Sequence, residues 1–228
     1  MARPRPSFGP GPTRRASDAV CSGAVTPRTV LTLVRHGETS ANIDGVWHGS
    51  LDTPLTLRGT QQAARVAGHI ATAFPEVTAV YSSDLQRARH TAEGIAAELG
   101  LAPVIDEGLR EYHLGNWEGK SFADLFHQEN FFQHIKTDPD FAPHGGESPQ
   151  EVTDRLIGAL RRIAAGHPRE RVVVVTHGGA LSMAMGALID GTYANWHSVM
   201  DNCAVSELVF DPAPELLTFN FTEHLTGL

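Results

Sequence analysis

Two histidines follow short apolar runs of the chain, and both stand next to glycine. Residues 29–34 lead into Arg35-His36-Gly37, and residues 172–175 lead into Thr176-His177-Gly178-Gly179. Ligands of an open α/β sheet bind outside the carboxyl ends of its strands. The two imidazoles are therefore expected at one pocket, where glycine lets a ligand approach the backbone.

A third residue with chemistry is an arginine at the start of a predicted helix. Arg87 lies in the first turn after a predicted strand at residues 79–82. A helix N-terminus favours anions, so a cation there is best explained by a bound anion that the guanidinium contacts through two donors. Together with Arg35, it predicts an anion-binding site beside the histidines.

The elements that must position these residues alternate along the chain. Apolar runs predict strands at residues 29–34, 79–82, 172–175, 204–210 and 216–221. Helices are predicted at residues 57–74, from 83 to about 100, 149–165 and 180–189, with capping boxes at residues 83–86 and 148–151. We therefore expect an α/β fold, a three-layer sandwich with a mostly parallel central sheet and helices on both faces.

The N-terminal segment differs from the rest of the chain. Residues 1–28 hold five prolines, five arginines and one acidic residue. Such a segment cannot form a helix or a central strand, and we expect a disordered tail. Residues 29–228 are expected to form a single domain, in which residues 106–147 are an insertion over the active site, with two short helices.

The composition excludes several classes of protein. The 228 residues are 41% hydrophobic and carry a net charge of −8, which describes a globular protein and does not favour nucleic-acid binding. No apolar run approaches the roughly 18 residues of a membrane span. Two cysteines exclude a disulfide framework and fit a reducing compartment, so a cytoplasmic location is expected. No metal motif is present, and neither metal nor cofactor is predicted.

Further motifs accompany the two histidines, in order and at regular spacings over about residues 29–210. They are Leu33-Val34-Arg35-His36-Gly37-Glu38-Thr39 with Asn42, residues 52–59, residues 82–88, Leu109-Arg110-Glu111, residues 115–119, residues 145–148 and Thr176-His177-Gly178-Gly179. The set resembles the histidine phosphatase superfamily, in its phosphoglycerate mutase-like branch. The resemblance implies the fold of that branch and phosphoryl transfer through a phosphohistidine.

The residues themselves fit this chemistry. A phosphate monoester is a dianion that repels nucleophiles, and Arg35 and Arg87 are predicted to neutralise it. Neutral His36 is predicted to attack phosphorus and form a phosphohistidine. His177 is predicted to donate to a phosphoryl oxygen, and Asn42 offers an amide donor to the same group.

The remaining site residues come mainly from the resemblance. It places the acid–base position on Glu111, which would protonate the leaving oxygen and then activate water; Glu118 is interpreted as structural. His48 and Gly49 stand where family members often carry Gln followed by Gly. His48 is kept as a binding residue, with an exposed loop histidine as the alternative. Gly178 completes the predicted phosphate-binding residues.

Three functions stay open at this stage. The first is a metal-independent phosphatase that hydrolyses a small-molecule phosphate monoester through His36. The second is a mutase-type phosphotransferase. The mutases typically read Glu-Arg-His-Tyr-Gly where this chain reads Glu111-Tyr112-His113-Leu114-Gly115, and they have longer insertions. The missing arginine and the shorter insertion favour water as the acceptor of the phosphoryl group. The third is a non-catalytic binding member, against which the presence of all five proposed catalytic residues argues.

The substrate is expected to be a small molecule, with no nucleic acid and no membrane as a partner. The predicted pocket is framed by Trp47, His48, Tyr112, Trp117, Phe122 and the stretch up to Glu147, a lining that suits a hydroxyl-rich or sugar-linked phosphate. Residues 111–117 and 142–148 resemble phosphatases of glucosyl-phosphoglycerate, while broad-specificity relatives and α-ribazole phosphatase are not excluded. A phosphosugar or phosphoglycerate substrate is favoured, and a homodimer is left open.

Overall fold

Alternating strands and helices make up most of the chain, for which the computed structural model describes residues 28–143, 145–194, 199–210 and 213–228. The strands are β1 (Val30–Arg35), β2 (Val77–Ser82), β3 (Pro103–Ile105), β4 (Arg171–Thr176), β5 (Val205–Val209) and β6 (Glu215–Phe221). The helices of these ranges are α1 (Ser40–Ile43), α2 (Leu57–Ala73), α3 (Gln86–Glu98), α4 (Phe122–His127), α5 (Phe131–Thr137), α6 (Pro149–Gly166) and α7 (Gly178–Asp190).

The strands lie in one sheet, in the order β3-β2-β4-β1-β5-β6. β1 pairs in parallel with β4, and β2 pairs in parallel with both β4 and β3. β5 is antiparallel to β1 and to β6. The predicted α/β fold with a mostly parallel sheet is confirmed, and its two last strands form an antiparallel edge.

Helices cover both faces of the sheet. Side chains alternate between the two faces along each strand, so Leu31 and Leu33 of β1 pack in one core while Val34 packs in the other. The first core is completed by α6 and α7, and the second by α2 and α3. The three-layer arrangement is therefore as expected.

The starts of the two capped helices differ from each other. The capping box before α6 is confirmed, with Ser148 as N-cap and Pro149 in the first turn. The capping box predicted at residues 83–86 is wrong, because α3 begins only at Gln86 and its N-cap, Leu85, has no side-chain hydrogen bond. Instead, Asp52 Oδ1 accepts from the Gln86 N–H at 2.7 Å. A carboxylate from a distant loop thus satisfies the helix end.

The insertion at residues 106–147 contains α4, α5 and two short 3-10 turns, at Glu107–Leu109 and Gly115–Trp117. The two short helices expected there are therefore present. Residues 1–27 of the expected disordered tail lie outside the described residues, and the division into tail and domain stays a prediction. Within the described ranges, no helix is both long enough and apolar enough to cross a membrane.

The loop after β1 is held against the first turn of α2 by direct backbone contact. A Cβ atom on Gly37 would lie 2.5 Å from the Gly59 carbonyl oxygen, and one on Gly59 would lie 2.1 Å from the Glu38 carbonyl oxygen. The Thr56 N–H also donates to this Glu38 oxygen at 2.9 Å. Glycine at both positions therefore lets the His36 loop sit on the helix.

We expect Gly59→Ala to lower the free energy of unfolding by about 1–3 kcal/mol, because overpacking against backbone atoms forces a shift. Gly68 lies in the same helix, and a Cβ atom added there would meet no atom within 4 Å, so Gly68→Ala should raise that free energy by about 0.5–1 kcal/mol. Urea denaturation of both variants measures the difference. Equal effects of the two substitutions would contradict the close approach.

Candidate active site

The parallel pairing of β1 with β4 brings the two predicted histidines together. Arg35 is the register partner of Thr176, and the His36 N–H donates to the Thr176 carbonyl at 3.1 Å. His36 and His177 therefore leave the sheet side by side, with ring centroids 5.1 Å apart. Both side chains are almost fully buried, at 1% and 0% exposure.

The hydrogen bond of His36 fixes which nitrogen can react. Its Nδ1 lies 2.7 Å from the Gly37 carbonyl oxygen, and because a carbonyl only accepts, Nδ1 must carry the proton. Burial, followed by the charges of Arg87 and Arg35, lowers the pKa of His36 well below its ordinary value. The neutral ring thus keeps its lone pair on Nε2, which is the nucleophilic form.

His177 has the opposite tautomer. Its Nδ1 accepts a hydrogen bond from Arg87 Nε at 3.2 Å, so the neutral ring carries its proton on Nε2. Burial, followed by the charge of Arg87, holds the pKa of His177 well below the ordinary histidine value. Nε2 is buried and has no hydrogen-bond partner among the described residues. It is a buried donor without an acceptor, and an anion bound beside it would satisfy it.

Arg87 is a fully buried cation, and its terminal nitrogens hold a loop. Nη2 donates to the Gly49 carbonyl at 2.6 Å, and Nη1 donates to the Leu51 carbonyl at 2.8 Å. The guanidinium was predicted to contact an anion through two donors. Each terminal nitrogen has only one hydrogen left for such a contact, because the other is bound to a carbonyl. Burial lowers the pKa of Arg87 to about 10, so the charge persists at neutral pH.

Arg35 provides the second charge. Its Nη1 donates to the Met200 carbonyl at 2.6 Å, whereas the buried Nε has no partner within the described part of the chain. Desolvation by burial lowers the pKa of Arg35, while Glu111 opposes this shift. A Cβ atom on Gly178 would lie 3.1 Å from this Nε, so the predicted Gly178 leaves space around the free donor.

Asn42 presents an amide nitrogen to the site. Its Oδ1 accepts from the Thr39 N–H at 3.0 Å and from Asn202 Nδ2 at 3.1 Å, which fixes the oxygen and leaves Nδ2 as a donor. Asn202 also donates to the His36 carbonyl at 3.0 Å. Sequence reasoning missed Asn202; the only signal was a polar residue between Met200 and the apolar run of β5.

Glu111 lies at the N-terminus of α7. Its Oε1 accepts from the Ala180 N–H at 2.6 Å and from the Tyr112 N–H at 2.8 Å, and Oε2 accepts from the Gly179 N–H at 2.9 Å. The side chain is 7% exposed. The carboxylate thus satisfies the first free N–H groups of the helix, and a proton on it would have to replace one of these donors.

Arg155 of α6 fixes the segment that carries Glu111. Its guanidinium makes two hydrogen bonds to the Glu147 carboxylate, at 2.6 and 2.7 Å. It also donates to the backbone carbonyls of Gly108, Arg110 and Glu111, at 3.0, 2.9 and 3.1 Å. Sequence reasoning missed this residue as well, because nothing in the helix pattern marks an arginine that binds distant carbonyls.

His48 belongs to the site, and the alternative of an exposed loop histidine is wrong. The side chain is 7% exposed, and its ring centroid lies 5.8 Å from that of His36. Gly49 follows with a φ of +47°, and a Cβ atom there would lie 2.3 Å from Glu118 Oε1. This Glu118 oxygen accepts from the Ser50 N–H at 2.8 Å, in keeping with its structural interpretation.

A cavity of about 620 Å³ opens beside these groups. Its lining includes four predicted site residues, Arg35, Asn42, His48 and Glu111, together with Trp47 and Phe122. The expected framing by Tyr112 and Trp117 is wrong, because neither lines this cavity; both pack in the core on the same face of the sheet. In the described residues, no group of three or more His, Cys, Asp or Glu side chains is arranged to hold a metal ion.

Buried neutral histidines make the stability of the fold sensitive to acid. Burial, followed by the charges of Arg87 and Arg35, lowers the pKa of His48 from 6.5 to about 3. Between these values the unfolded chain binds a proton that the folded chain does not, so the free energy of unfolding falls as the pH falls, by about 1.4 kcal/mol per pH unit. We expect His48→Gln to remove this contribution between pH 6 and pH 4, as measured by denaturant unfolding.

The matched control is His90→Gln, which replaces an exposed histidine of α3. It should keep the pH dependence of the wild type. The same slope of stability against pH in His48→Gln and in the wild type would contradict the assignment of a buried, neutral His48.

Comparison with known proteins identifies the family. A model described as "Histidine phosphatase superfamily (branch 1)" matches residues 31–222. Phosphoglycerate mutase-like protein 4 of Arabidopsis thaliana is 44% identical over 156 residues, which cover 66% of this chain and 67% of that protein. The metal-independent phosphoserine phosphatase of Arabidopsis thaliana is 39% identical over 158 residues, 67% of this chain and 66% of that protein.

Solved structures agree with these relatives. The structure of mycobacterial glucosyl-3-phosphoglycerate phosphatase in complexes with VO3 has a TM-score of 0.75 and 31% sequence identity, over 86% of this chain and 100% of that chain. The family model covers nearly all of the described sheet and helices. The chain therefore belongs to branch 1 of the histidine phosphatase superfamily and is a phosphoric monoester hydrolase.

Proposed function

We propose that this hydrolase transfers the phosphoryl group of a small-molecule monoester to Nε2 of His36 and then to water, without a metal ion. The observation that carries the proposal is the pair of opposite tautomers. His36 keeps a lone pair on Nε2, and the neighbouring His177 keeps a proton on a buried Nε2 that has no partner among the described residues. One ring is thus ready to attack, and the other is ready to bind the anion.

Charge at this site favours a dianionic ligand. Arg35 and Arg87 bring two buried cations beside three neutral imidazoles. Besides the remaining hydrogens of Arg87, three donors are free within the described residues: Arg35 Nε, His177 Nε2 and the Asn42 amide. Fixed donors in a site that excludes water stabilise developing negative charge strongly, because they need no reorganisation when the substrate reacts. The three free donors can therefore bind the phosphoryl oxygens while His36 attacks.

A single acid–base group, Glu111, can carry both proton transfers of the proposed reaction. In the first step the His36 nitrogen forms a bond to phosphorus, the ester bond breaks, and the leaving alcohol takes a proton from Glu111. In the second step Glu111 takes a proton from water, whose oxygen attacks phosphorus and releases His36 and inorganic phosphate. Glu111 is the candidate because its side chain lines the cavity, whereas Glu118 is tied to the Ser50 backbone.

The substrate class rests on similarity and on the cavity. Relatives named for phosphoserine and for glucosyl-3-phosphoglycerate support a phosphosugar or phosphoglycerate type of monoester. A mutase-type transfer is the second candidate, favoured by the 44% identity to a mutase-like protein. A cytoplasmic location and a homodimer are hypotheses that rest on the sequence alone.

The proposal is tested by phosphate release in the presence of EDTA. Wild-type protein should hydrolyse 3-phosphoglycerate, glucosyl-3-phosphoglycerate or p-nitrophenyl phosphate, and His36→Ala should lower kcat by several orders of magnitude because no covalent intermediate forms. His90→Ala, at an exposed histidine of α3, serves as the control for loss of a histidine.

Two results would contradict the proposal that the protein hydrolyses its substrate through a phosphohistidine. Turnover by His36→Ala at the wild-type rate would exclude the covalent intermediate. Exchange between 2- and 3-phosphoglycerate without phosphate release would identify the mutase-type phosphotransferase instead.

The acid role of Glu111 is tested with leaving groups of different basicity. Glu111→Gln should lower kcat/KM for an alkyl phosphate such as 3-phosphoglycerate by about 10²–10⁴-fold, because an alkoxide needs a proton. The loss for p-nitrophenyl phosphate should be far smaller, since p-nitrophenolate leaves without one. Glu107→Gln, at the exposed carboxylate nearby, is the control, and equal losses for both esters would argue against Glu111 as the acid.

A further inference from the structure

The cavity extends beyond the groups that the proposed chemistry uses. Its volume of about 620 Å³ lies in the range of roughly 300–1,000 Å³ that is typical of pockets for whole small molecules. One side is polar, with Arg35, Asn42, His48 and Glu111, and half of the eight other lining residues come from the insertion. This outer part therefore faces the alcohol portion of the substrate.

Two short helices of the insertion form the outer part. α4 contributes Phe122 and Phe126, and α5 contributes Phe132 and Lys136. Each pair is spaced four residues apart and so lies on one face of its helix. The rings of Phe126 and Phe132 approach to 6.1 Å between centroids, which shows that the two faces meet at the cavity.

The aromatic side chains are exposed although they are apolar. Phe122 is 41% exposed and Phe126 is 59% exposed, next to Val199 at 43%. Contiguous exposed apolar surface in a pocket marks a place where a ligand packs. Side chains of this kind offer ring surface and no hydrogen-bond acceptor, so they bind the flat or apolar face of a ring rather than its hydroxyl groups.

Among the described residues of the insertion, Lys136 is the one cation that lines the cavity. No ion pair joins it to a carboxylate among the described residues, whereas Lys120, the other lysine of the chain, pairs with Glu129. Lys136 is exposed at the cavity, so its charge stays solvated until an anion arrives. A single lysine balances a single negative charge, which matches a carboxylate better than a second phosphate.

We propose that the outer part of the cavity is a second subsite, in which Phe122, Phe126 and Phe132 pack against a ring and Lys136 binds a carboxylate of the same substrate. The assignment rests on the proposed phosphatase function and narrows it. The preferred substrate is a phosphate monoester whose alcohol portion carries both a ring and a carboxylate. The phosphoryl group lies among Arg35, His36 and His177, and the carboxylate lies at α5.

The test compares two esters that differ in one charge. 4-Carboxyphenyl phosphate and 4-carbamoylphenyl phosphate have the same ring and nearly the same size, but only the first carries a carboxylate. The readout is the ratio of kcat/KM for the carboxylate ester to that for the amide ester, compared between proteins. Lys136→Gln should lower this ratio about fivefold from its wild-type value, and Lys136→Glu should lower it further.

Lys120→Gln is the matched control, because it removes the other lysine at a position that does not line the cavity. It should keep the wild-type ratio. Phe126→Ala tests the ring contact, and should lower kcat/KM for both aryl esters about fivefold more than for glycerol 3-phosphate, which has no ring.

The outcomes separate the subsite from the chemistry. If the wild type and the lysine variants all release phosphate with the same ratio of kcat/KM for the two aryl esters, the Lys136 subsite is wrong. The proposed phosphatase function would still stand. An equal effect of Phe126→Ala on aryl and glycerol esters would overturn the ring contact. No release by the wild type from any ester would remove the proposed function, and the subsite with it. A larger preference for an ester with a second phosphate than for the carboxylate would overturn the carboxylate assignment.

Discussion

Parallel pairing of β1 with β4 is the constraint on which the site depends. The register that sets Arg35 opposite Thr176 delivers one histidine from each strand to the same edge of the sheet, with centroids 5.1 Å apart. A slip of one residue would turn either ring to the opposite face of the sheet. The short apolar runs of both strands are buried on two faces, so the core that stabilises the sheet also fixes the distance between the two imidazoles.

A second consequence of this burial is electrostatic. Two guanidinium groups and three imidazoles share one small volume, and the protein resolves the repulsion by keeping the imidazoles neutral. Arg87 is partly compensated by the carbonyls of Gly49 and Leu51. The free donors on Arg35 and His177 remain unsatisfied, and unsatisfied buried donors cost stability. A bound phosphoryl group would supply the missing acceptors. The free-energy cost of the unsatisfied donors in the free protein would then be removed when the ligand binds.

The sequence allowed prediction of the sheet, the main helices and the strand-end residues, because apolar periodicity and local capping are visible in a few consecutive residues. His48 could be placed near the site, but not its burial, since burial depends on packing against distant segments. Asn202 and Arg155 could not be found at all. Each acts through backbone carbonyls of residues far away in the chain, and any helix or turn can carry such a side chain without a recognisable pattern. The cavity lining was predicted in part: Phe126 and Phe132 belong to the stretch up to Glu147 that was expected there, whereas Tyr112 and Trp117 pack in the core instead.

The position of Glu111 closes the N-terminus of α7 to an anion. The N-terminus of a helix is a natural phosphate site, yet the Gly179 and Ala180 N–H groups of α7 are both bound to Glu111. In the proposed mechanism the phosphoryl oxygens are therefore bound by the arginines, His177 and Asn42. The N–H donors of α7, together with that of Tyr112, fix the orientation of the Glu111 carboxyl group beside the cavity. Arg155 holds the same segment in place through the Glu111 carbonyl, so the carboxyl group and the N-terminus of α7 stay aligned with each other.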